Sequence, residues 1–475
     1  MDAKDRRIAE LEKRDVEREA LLRAALARIA ELKAQLKAAL EKIASLEKNS
    51  SNSSKPPSSD IVKPPKDKER RRKKRKIGAQ KGHKQHLRTP FPEDQIDKTI
   101  ELKLEACPKC NGKLEPTGKE PTKHQQVELV AKPFIVTEYL QAEYWCEKCQ
   151  CTHTAPLPLE VKKLGLFGKN LTALTSHLKG RCHMSFTTMQ CFYADAFGLK
   201  VSTGYLTKQI RRTSEALKGV YEKLVEQLPK EEHLHCDETG SKENGKRRWT
   251  WCFRPKNFTV FHIDPSRGHE VLIKILGKDF SGKLSSDYFS AYRRFAKVTK
   301  AIPLYCWAHL IREVKYISES KTKKVANYGK RLLGAIQAMF TTYHRKDELQ
   351  EWNWFRRMKE HQRSIVKEAW YRLPKDDKNA WNIAARLWNE EASYFRFIKE
   401  GLPPTNNLCE QSIRRVVLNR KITQGTRSDW GNRWWERIWS VLATCEQQGR
   451  NVMEFLKSCM HAWIHGLAPP ALMKD

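Results

Sequence analysis

Two aspartates, each closing a short predicted strand, are the residues of this chain whose setting best suits chemistry. Leu234-His235-Cys236-Asp237 and Lys283-Leu284-Ser285-Ser286-Asp287 both read as short strands that end in an acid. Between them the sequence predicts a strand pair, 248–253 and 258–263 around a Pro-Lys-Asn turn, and a helix near 270–276. That is enough chain for the two acid-bearing strands to lie side by side, with both carboxylates at one end of a sheet. Hard Mg²⁺ or Mn²⁺ takes oxygen ligands and leaves positions for water and substrate phosphate. Two such ions, roughly 3.5–4 Å apart, would stabilise the attacking and leaving oxygens of an in-line phosphoryl transfer. A third carboxylate is wanted, and Glu410 is the natural candidate, because Pro404-Thr405-Asn406-Asn407-Leu408-Cys409-Glu410 suits a helix N-terminus. Arg414 and Arg415 follow about one turn later, placed to meet phosphate near the metals. For any one acid the plain reading is a solvated or salt-bridged surface group. The strand, strand, helix order of three points further than any of them alone. His309, in Cys306-Trp307-Ala308-His309 after the next predicted strand, suits active-site support or a structural helix start equally.

A second constellation is Cys107-Pro108-Lys109-Cys110 with Cys146-Glu147-Lys148-Cys149. Paired Cys-x-x-Cys knuckles hold one Zn²⁺ tetrahedrally in structural sites. Cys151 and His153 are alternatives for one ligand, and four free thiols are the plain reading. A strand over 134–145, rich in β-branched and aromatic residues, leads into the second pair.

The elements around these residues point to a polyanion. The chain has 475 residues, too many for one ordinary domain, and 90 Lys and Arg against 56 Asp and Glu give a formal net charge of +34. Neutralised phosphates release counterions, so a surplus of this size favours nucleic acid. No run of 18 or more apolar residues suits a membrane span, and the charged N-terminus has no signal-peptide core. A cytoplasmic location is expected. Residues 1–48 read as a coiled coil, because Ile8, Leu22, Ile29, Leu36 and Ile43 fall on a heptad with Leu11, Ala25, Leu32, Ala39 and Leu46 three residues later. Asp15 and Arg18 interrupt the seam, and a lone amphipathic helix is the alternative to a homo-oligomer. Residues 49–96 read as linker, first Ser/Asn/Pro-rich and then basic. Lys63–Arg88 holds 13 Lys or Arg and two acids, including the unbroken run Arg70, Arg71, Arg72, Lys73, Lys74, Arg75 and Lys76. Such a block suits DNA backbone contact and carries little sequence-reading power.

Residues 97–160 form the zinc-binding unit in this reading, and 161–228 a helical segment compatible with a helix-turn-helix. There, Phe186–Phe197 is followed by a glycine turn and a helix capped by Ser202 that carries Lys208, Arg211 and Arg212 as DNA contacts. Residues 229–465 form the catalytic domain, with a helical insertion at about 318–400. Trp249 and Trp251, and the tryptophans at 430, 434, 435 and 439, read as packing residues.

The segments 234–240, 245–251, 286–292 and 306–310, with Asn406-Asn407-Leu408-Cys409-Glu410 and Arg420-Lys421, resemble the catalytic domain of IS66-type insertion-sequence transposases. The order of parts along nearly the whole chain is similar too: zipper, Ser-Lys-Pro-Pro-Ser-Ser-Asp linker, cysteine-paired unit, helical segment, catalytic domain. The resemblance implies an α/β, RNase H-like mixed-sheet domain interrupted by a helical insertion before the glutamate. It implies an Asp-Asp-Glu triad of Asp237, Asp287 and Glu410 with two Mg²⁺ or Mn²⁺ ions. DNA ends and target are then the substrates, and accessory proteins of the element are potential partners. The chain departs from the pattern at Lys81, where a proline is common, and at Ile422-Thr423-Gln424-Gly425, which replaces an Asn-Trp-like continuation. A metal nuclease of the same fold and a non-catalytic DNA-binding regulator are the competing readings. The regulator leaves the strand-end acids unexplained.

Overall fold

The computed structural model describes residues 148–473 without a break, together with 90–100, 133–146, 21–36, 17–19, 125–127 and the single positions 14, 39, 109, 111 and 130. The basic run 70–76, Cys107 and Cys110 lie outside the described residues. Residues 21–36 form helix α1, and Leu22, Ile29, Leu32 and Leu36, the seam expected of a coiled coil, are all exposed.

Residues 65–154 make one compact unit. Its described residues include a 3-10 turn at Glu93–Gln95 and a hairpin of β1 (Glu143–Cys146) and β2 (Cys151–Thr154), paired antiparallel with Cys146 opposite Cys151. The strand expected over 134–145 is therefore confined to its last residues. Residues 134–142 are not in strand conformation, and Ile135 and Leu140 there are almost fully exposed. High β-propensity alone does not make a strand.

In the larger unit, α2 (Leu159–Leu164) and α3 (Lys169–Gly180) lead to α4 (Phe186–Phe197), a turn at left-handed Gly198, and the long α5 (Thr203–Gln227). Ser202 caps α5 as its position predicts, its hydroxyl accepting from the Tyr205 N–H at 3.1 Å. A small core of Phe167, Met189, Tyr193, Val201 and Leu206 holds this segment.

Asn244 and Gly245, both at positive φ, form the tight turn that joins β3 (His233–Glu243) to β4 (Lys246–Pro255). Next come β5 (Val260–Asp264), α6 (His269–Leu276), β6 (Lys283–Ser286), α7 (Ser290–Val298) and β7 (Ile302–Tyr305). The five strands lie in the order β5-β4-β3-β6-β7. The β5-β4-β3 meander is antiparallel, whereas β3-β6 and β6-β7 are parallel. Five helices then leave the sheet: α8 (Trp307–Ser318), α9 (Lys323–Tyr343), α10 (Glu351–Trp370), α11 (Lys378–Asn389) and α12 (Glu391–Glu400). They enclose a core of their own around Trp307, Leu332, Met358 and Leu387, wider than the insertion expected at about 318–400. The chain returns through α13 (Asn407–Thr423), α14 (Asp429–Gln447) and α15 (Val452–His465).

Strand β5 is an edge, and α14 closes it with one stripe of side chains. Glu436, Ser440 and Thr444, four residues apart, accept the backbone N–H groups of Ile263, Phe261 and Thr259 at 2.6, 2.9 and 3.1 Å. A helix thus supplies the acceptors that a further strand would. Trp434, Trp435 and Trp439 of the same helix are buried, in keeping with the packing role expected of them. Among the described residues no helix is long and apolar enough to cross a membrane.

Candidate active site

The parallel pairing of β3 with β6 fixes the two aspartates. The register matches His235 to Ser285, and Asp237 and Asp287 each lie two residues further on. Neighbouring strands run about 4.8 Å apart, so the two carboxylates leave the sheet side by side. Backbone N–H groups steady both: Glu238 N donates to Asp237 Oδ1 and Phe289 N to Asp287 Oδ1, each at 2.9 Å.

Glu410 arrives from the first turn of α13, and Asn406 determines where that helix begins. The Asn406 amide donates to the Cys236 carbonyl at 2.7 Å. Its oxygen faces His235 Nδ1 at 2.9 Å, and its backbone N–H meets Cys306 Sγ at 3.1 Å. One buried side chain therefore ties the start of the glutamate helix to the residues just before Asp237, and its backbone ties the same point to the end of β7. Sequence reasoning suits Asn406 to a helix cap, yet its side chain makes no cap hydrogen bond.

The electrostatics agree with convergence. Burial, then Glu238, Asp287 and Glu410, push the Asp237 carboxyl well above its usual range. Asp287 is raised chiefly by burial, with Glu410 among the contributing charges. Each side chain keeps part of its surface open, as at the floor of a cleft. Among the described residues neither aspartate has an ion-pair partner. This excess of confined negative charge, carried by oxygen donors, fits hard divalent cations.

His309 stands beside Glu410, Nδ1 to Oε1 at 3.6 Å, and burial holds its imidazole neutral, with a pKa of about 4. Arg312, one turn along α8, reaches the other Glu410 oxygen at 3.4 Å. Cys306 Sγ, His309 and Glu410 place one potential ligand atom each within 4.8 Å of one another.

A fourth carboxylate escaped sequence reasoning. Glu238 follows Asp237 on β3 and so faces the other side of the sheet. There it accepts from Arg267 Nε and Nη2 at 2.9 and 2.7 Å and from the Tyr292 hydroxyl. Burial, then the charge of Asp287, raise it to about 7. The Arg267 guanidinium is itself held between the rings of Phe289 and Trp249, at 3.9 and 4.5 Å.

The basic candidates divide. Arg414 is exposed one turn beyond Glu410, on the same side of α13. Arg415 lies a further ~100° round the helix and is committed to an ion pair with Glu446 of α14. Burial, then nearby Arg181, lower its pKa to about 10. The helix phase thus turns Arg415 away from the phosphate position expected of it. Arg212 is likewise taken up by the protein, donating to the Leu164 carbonyl at 2.6 Å. Lys208 and Arg211 remain exposed, Arg211 over the Trp430 ring at 4.9 Å.

In the smaller unit, backbone N–H groups of Cys149 and Lys148 point at Cys146 and lower its pKa. Cys149 Sγ lies 3.2 Å from His153 Nε2.

A mixed sheet that brings carboxylates together where β6 ends beside β3, in a chain with a large cationic surplus, fits a class of protein that processes nucleic acid. The chain belongs to the IS66 transposase family, whose family model matches residues 164–433. Residues 105–150 match the zinc-finger binding domain of transposase IS66, and residues 5–89 match a family of unknown function. The chain is also similar to the uncharacterized protein y4qI of Sinorhizobium fredii, with 23% identity over 415 residues that cover 80% of this chain and 74% of that one.

Proposed function

We propose that this family member cuts DNA at the ends of an insertion sequence and joins the freed ends to target DNA, using Asp237, Asp287 and Glu410. The observation that carries the reading is the shared register of the two aspartates on adjacent parallel strands, met by a glutamate helix tied at Asn406. The strand order β5-β4-β3-β6-β7, three antiparallel strands followed by two parallel ones, supports an RNase H-like domain with α8 to α12 as its insertion.

The three carboxylates would hold two Mg²⁺ or Mn²⁺ ions, which activate the attacking hydroxyl and stabilise the leaving oxygen. The chain's own groups do the rest. Arg312 orients Glu410, and neutral His309 leaves that carboxylate's charge intact. Arg414, one turn beyond, offers a cation to the phosphate backbone. In the zinc unit, Cys107, Cys110, Cys146 and Cys149 would hold one structural Zn²⁺, with Cys151 or His153 as the alternative for one ligand. The exposed seam of α1 suits a homo-oligomer formed through a coiled coil, and the basic run 70–76 suits DNA backbone contact.

The test incubates the protein with labelled DNA carrying the ends of its element, a target plasmid, and Mg²⁺ or Mn²⁺. Joined products are expected, whereas cleavage alone would make it a nuclease. Asp237→Asn should abolish both reactions and leave DNA binding largely intact. A fully active Asp237→Asn protein would refute the metal-triad reading.

A further inference from the structure

Beyond the acids, the β3–β4 hairpin and the end of α13 enclose a cavity of about 720 Å³ lined by Lys242, Arg247, Arg420 and Arg427. No carboxylate lines it, and among the described residues none of the four cations has an ion-pair partner. Its remaining lining is glycine, serine and glutamine, which leaves backbone and small polar groups facing the space. One wall is rigid. Asn244 N donates to Thr426 O at 2.8 Å and Thr426 N to Lys242 O at 2.9 Å, which locks the loop after α13 onto the hairpin. Gly425 sits at φ +105°, and a side chain there would lie 2.3 Å from the Lys242 carbonyl, so the lock requires glycine. Arg420 is braced by the Thr239 hydroxyl at 3.0 Å and by the Gly240 carbonyl.

The position of this cavity follows from the two elements that also carry the acids. Along β3, Lys242 lies five residues past Asp237 and Gly240 three, about 10–17 Å at strand rise. Along α13, Arg420 lies ten residues past Glu410, about 15 Å at helical rise. Strand and helix give the same distance independently. Thr239 shares the face of β3 that carries Asp237, since alternate residues point the same way, and Arg420 binds that face.

We propose that this cavity is a phosphate-binding subsite that grips the DNA backbone on one side of the cut, three to five nucleotides from the scissile phosphate. The spacing converts 10–17 Å at about 3.4 Å of axial rise per nucleotide. Four unneutralised cations in a concave wall of fixed backbone select for a polyanion and read no base. The volume is that of a single small-ligand site, so it takes a short stretch of backbone, not a whole duplex. The subsite deepens the transposase reading by fixing where one flank of the substrate runs.

The test uses the full zinc-loaded chain and a random-sequence duplex, with binding measured against salt. Arg247 and Arg427 are exposed and stand clear of the carboxylates. The double variant Arg247→Ala/Arg427→Ala should lower the steepness of log K against log salt by about 1.8, because each lost phosphate contact removes about 0.9. At fixed low salt, binding should weaken at least tenfold. Lys324→Ala/Lys330→Ala on α9 removes the same charge elsewhere and should change the steepness by less than half as much. An equal change in both double variants would overturn the proposal. A second arm places Lys242→Cys against duplexes that carry the element's ends and a thiol tether on one phosphate at a time. Crosslinking should peak three to five nucleotides from the cut, and a peak elsewhere, or none, also overturns it. The salt measurement needs no cleavage, so it tests the subsite separately: a wholly active Asp237→Asn protein with the expected change in steepness would sink the metal-triad reading and leave the subsite standing.

Discussion

Asn406 should be the residue whose loss most directly loosens Glu410 from Asp237. Because its amide N–H donates to the Cys236 carbonyl, its oxygen is the acceptor toward His235, and His235 Nδ1 carries the proton. Burial holds the His235 pKa low, in agreement with a neutral ring. Asn406→Ala leaves the backbone N–H on Cys306 Sγ and removes both side-chain bonds. Two buried groups then lose their partners, at about 1–3 kcal/mol each, so the expected destabilisation is about 2–6 kcal/mol. Asn406→Asp keeps the acceptor for His235 but sets a carboxylate oxygen against the Cys236 carbonyl, beside an acid already raised by its neighbours. It should be at least as destabilising as alanine. Equilibrium urea unfolding of zinc-loaded protein gives the first readout and Mn²⁺-dependent cleavage the second. Activity should fall at temperatures where the variant is still fully folded, because the glutamate helix is no longer pinned to the aspartate strand. A shift below about 0.5 kcal/mol, within the range of ordinary surface substitutions, together with unchanged cleavage, would refute the reasoning.

Other consequences can be measured on the same protein. Glu238 has a folded-state pKa of about 7 against 4.5, so its proton is held more tightly in the native state. Its contribution is fully present below pH 4.5 and is lost as pH rises toward 7, about 3 kcal/mol in total at 1.36 kcal/mol per unit. Metal-free protein should therefore lose stability across that window, and Glu238→Gln should flatten the profile; a profile identical to wild type would count against the shift. Thr444→Val removes the hydroxyl that serves both the N–H and the carbonyl of Thr259. It should cost about 1–3 kcal/mol by leaving the buried N–H of Thr259 beside β5 without its acceptor, and an unchanged unfolding midpoint would show that α14 does not complete the sheet. Atomic emission on purified protein should find about one zinc per chain, with none sinking the four-cysteine assignment.

Those parts of the site set by local pattern were legible in the sequence, and those set by distant partners were not. The two acid-bearing strands were legible and the intervening pair and helix gave the chain room to bring them together, but only Asp287 follows a strand end: β3 runs on to Glu243 to pair with β4, so Asp237 lies within its strand. Ser202 announced a helix start, and α5 begins there. Charge alone, by contrast, does not name its partner. Arg212 and Arg415 read as phosphate contacts, but the Leu164 carbonyl and Glu446 claim them from 48 and 31 residues away. The importance of Glu238 lay hidden for a similar reason. Strand alternation turns it away from Asp237, and its partners Arg267 and Tyr292 follow 29 and 54 residues later. The run before Glu410 marked the start of α13 correctly, and Asn406 stands at its N-cap position, but the side chain's partner, His235, is 171 residues distant and could not be read locally.

The same contrast explains how so acidic a site can exist in a folded chain. Asp237, Glu238 and Asp287 are each harder to ionise in place than in water, so the gathered carboxylates oppose folding at neutral pH. Such a cluster persists only where its surroundings over-determine it. Here the restraints sit outside the cluster itself. Asn406 pins the glutamate helix, and Arg267, stacked between Phe289 and Trp249, offsets the charge of Glu238. On the far edge of the same sheet, α14 satisfies β5 through three buried polar side chains. Divalent cations would relieve the repulsion that these restraints contain. Adding Mg²⁺ should therefore raise the unfolding temperature of wild-type protein more at pH 7 than at pH 5, and more than it raises that of Asp237→Asn. An equal rise in all three cases would mean that the carboxylates are not the groups the metal meets.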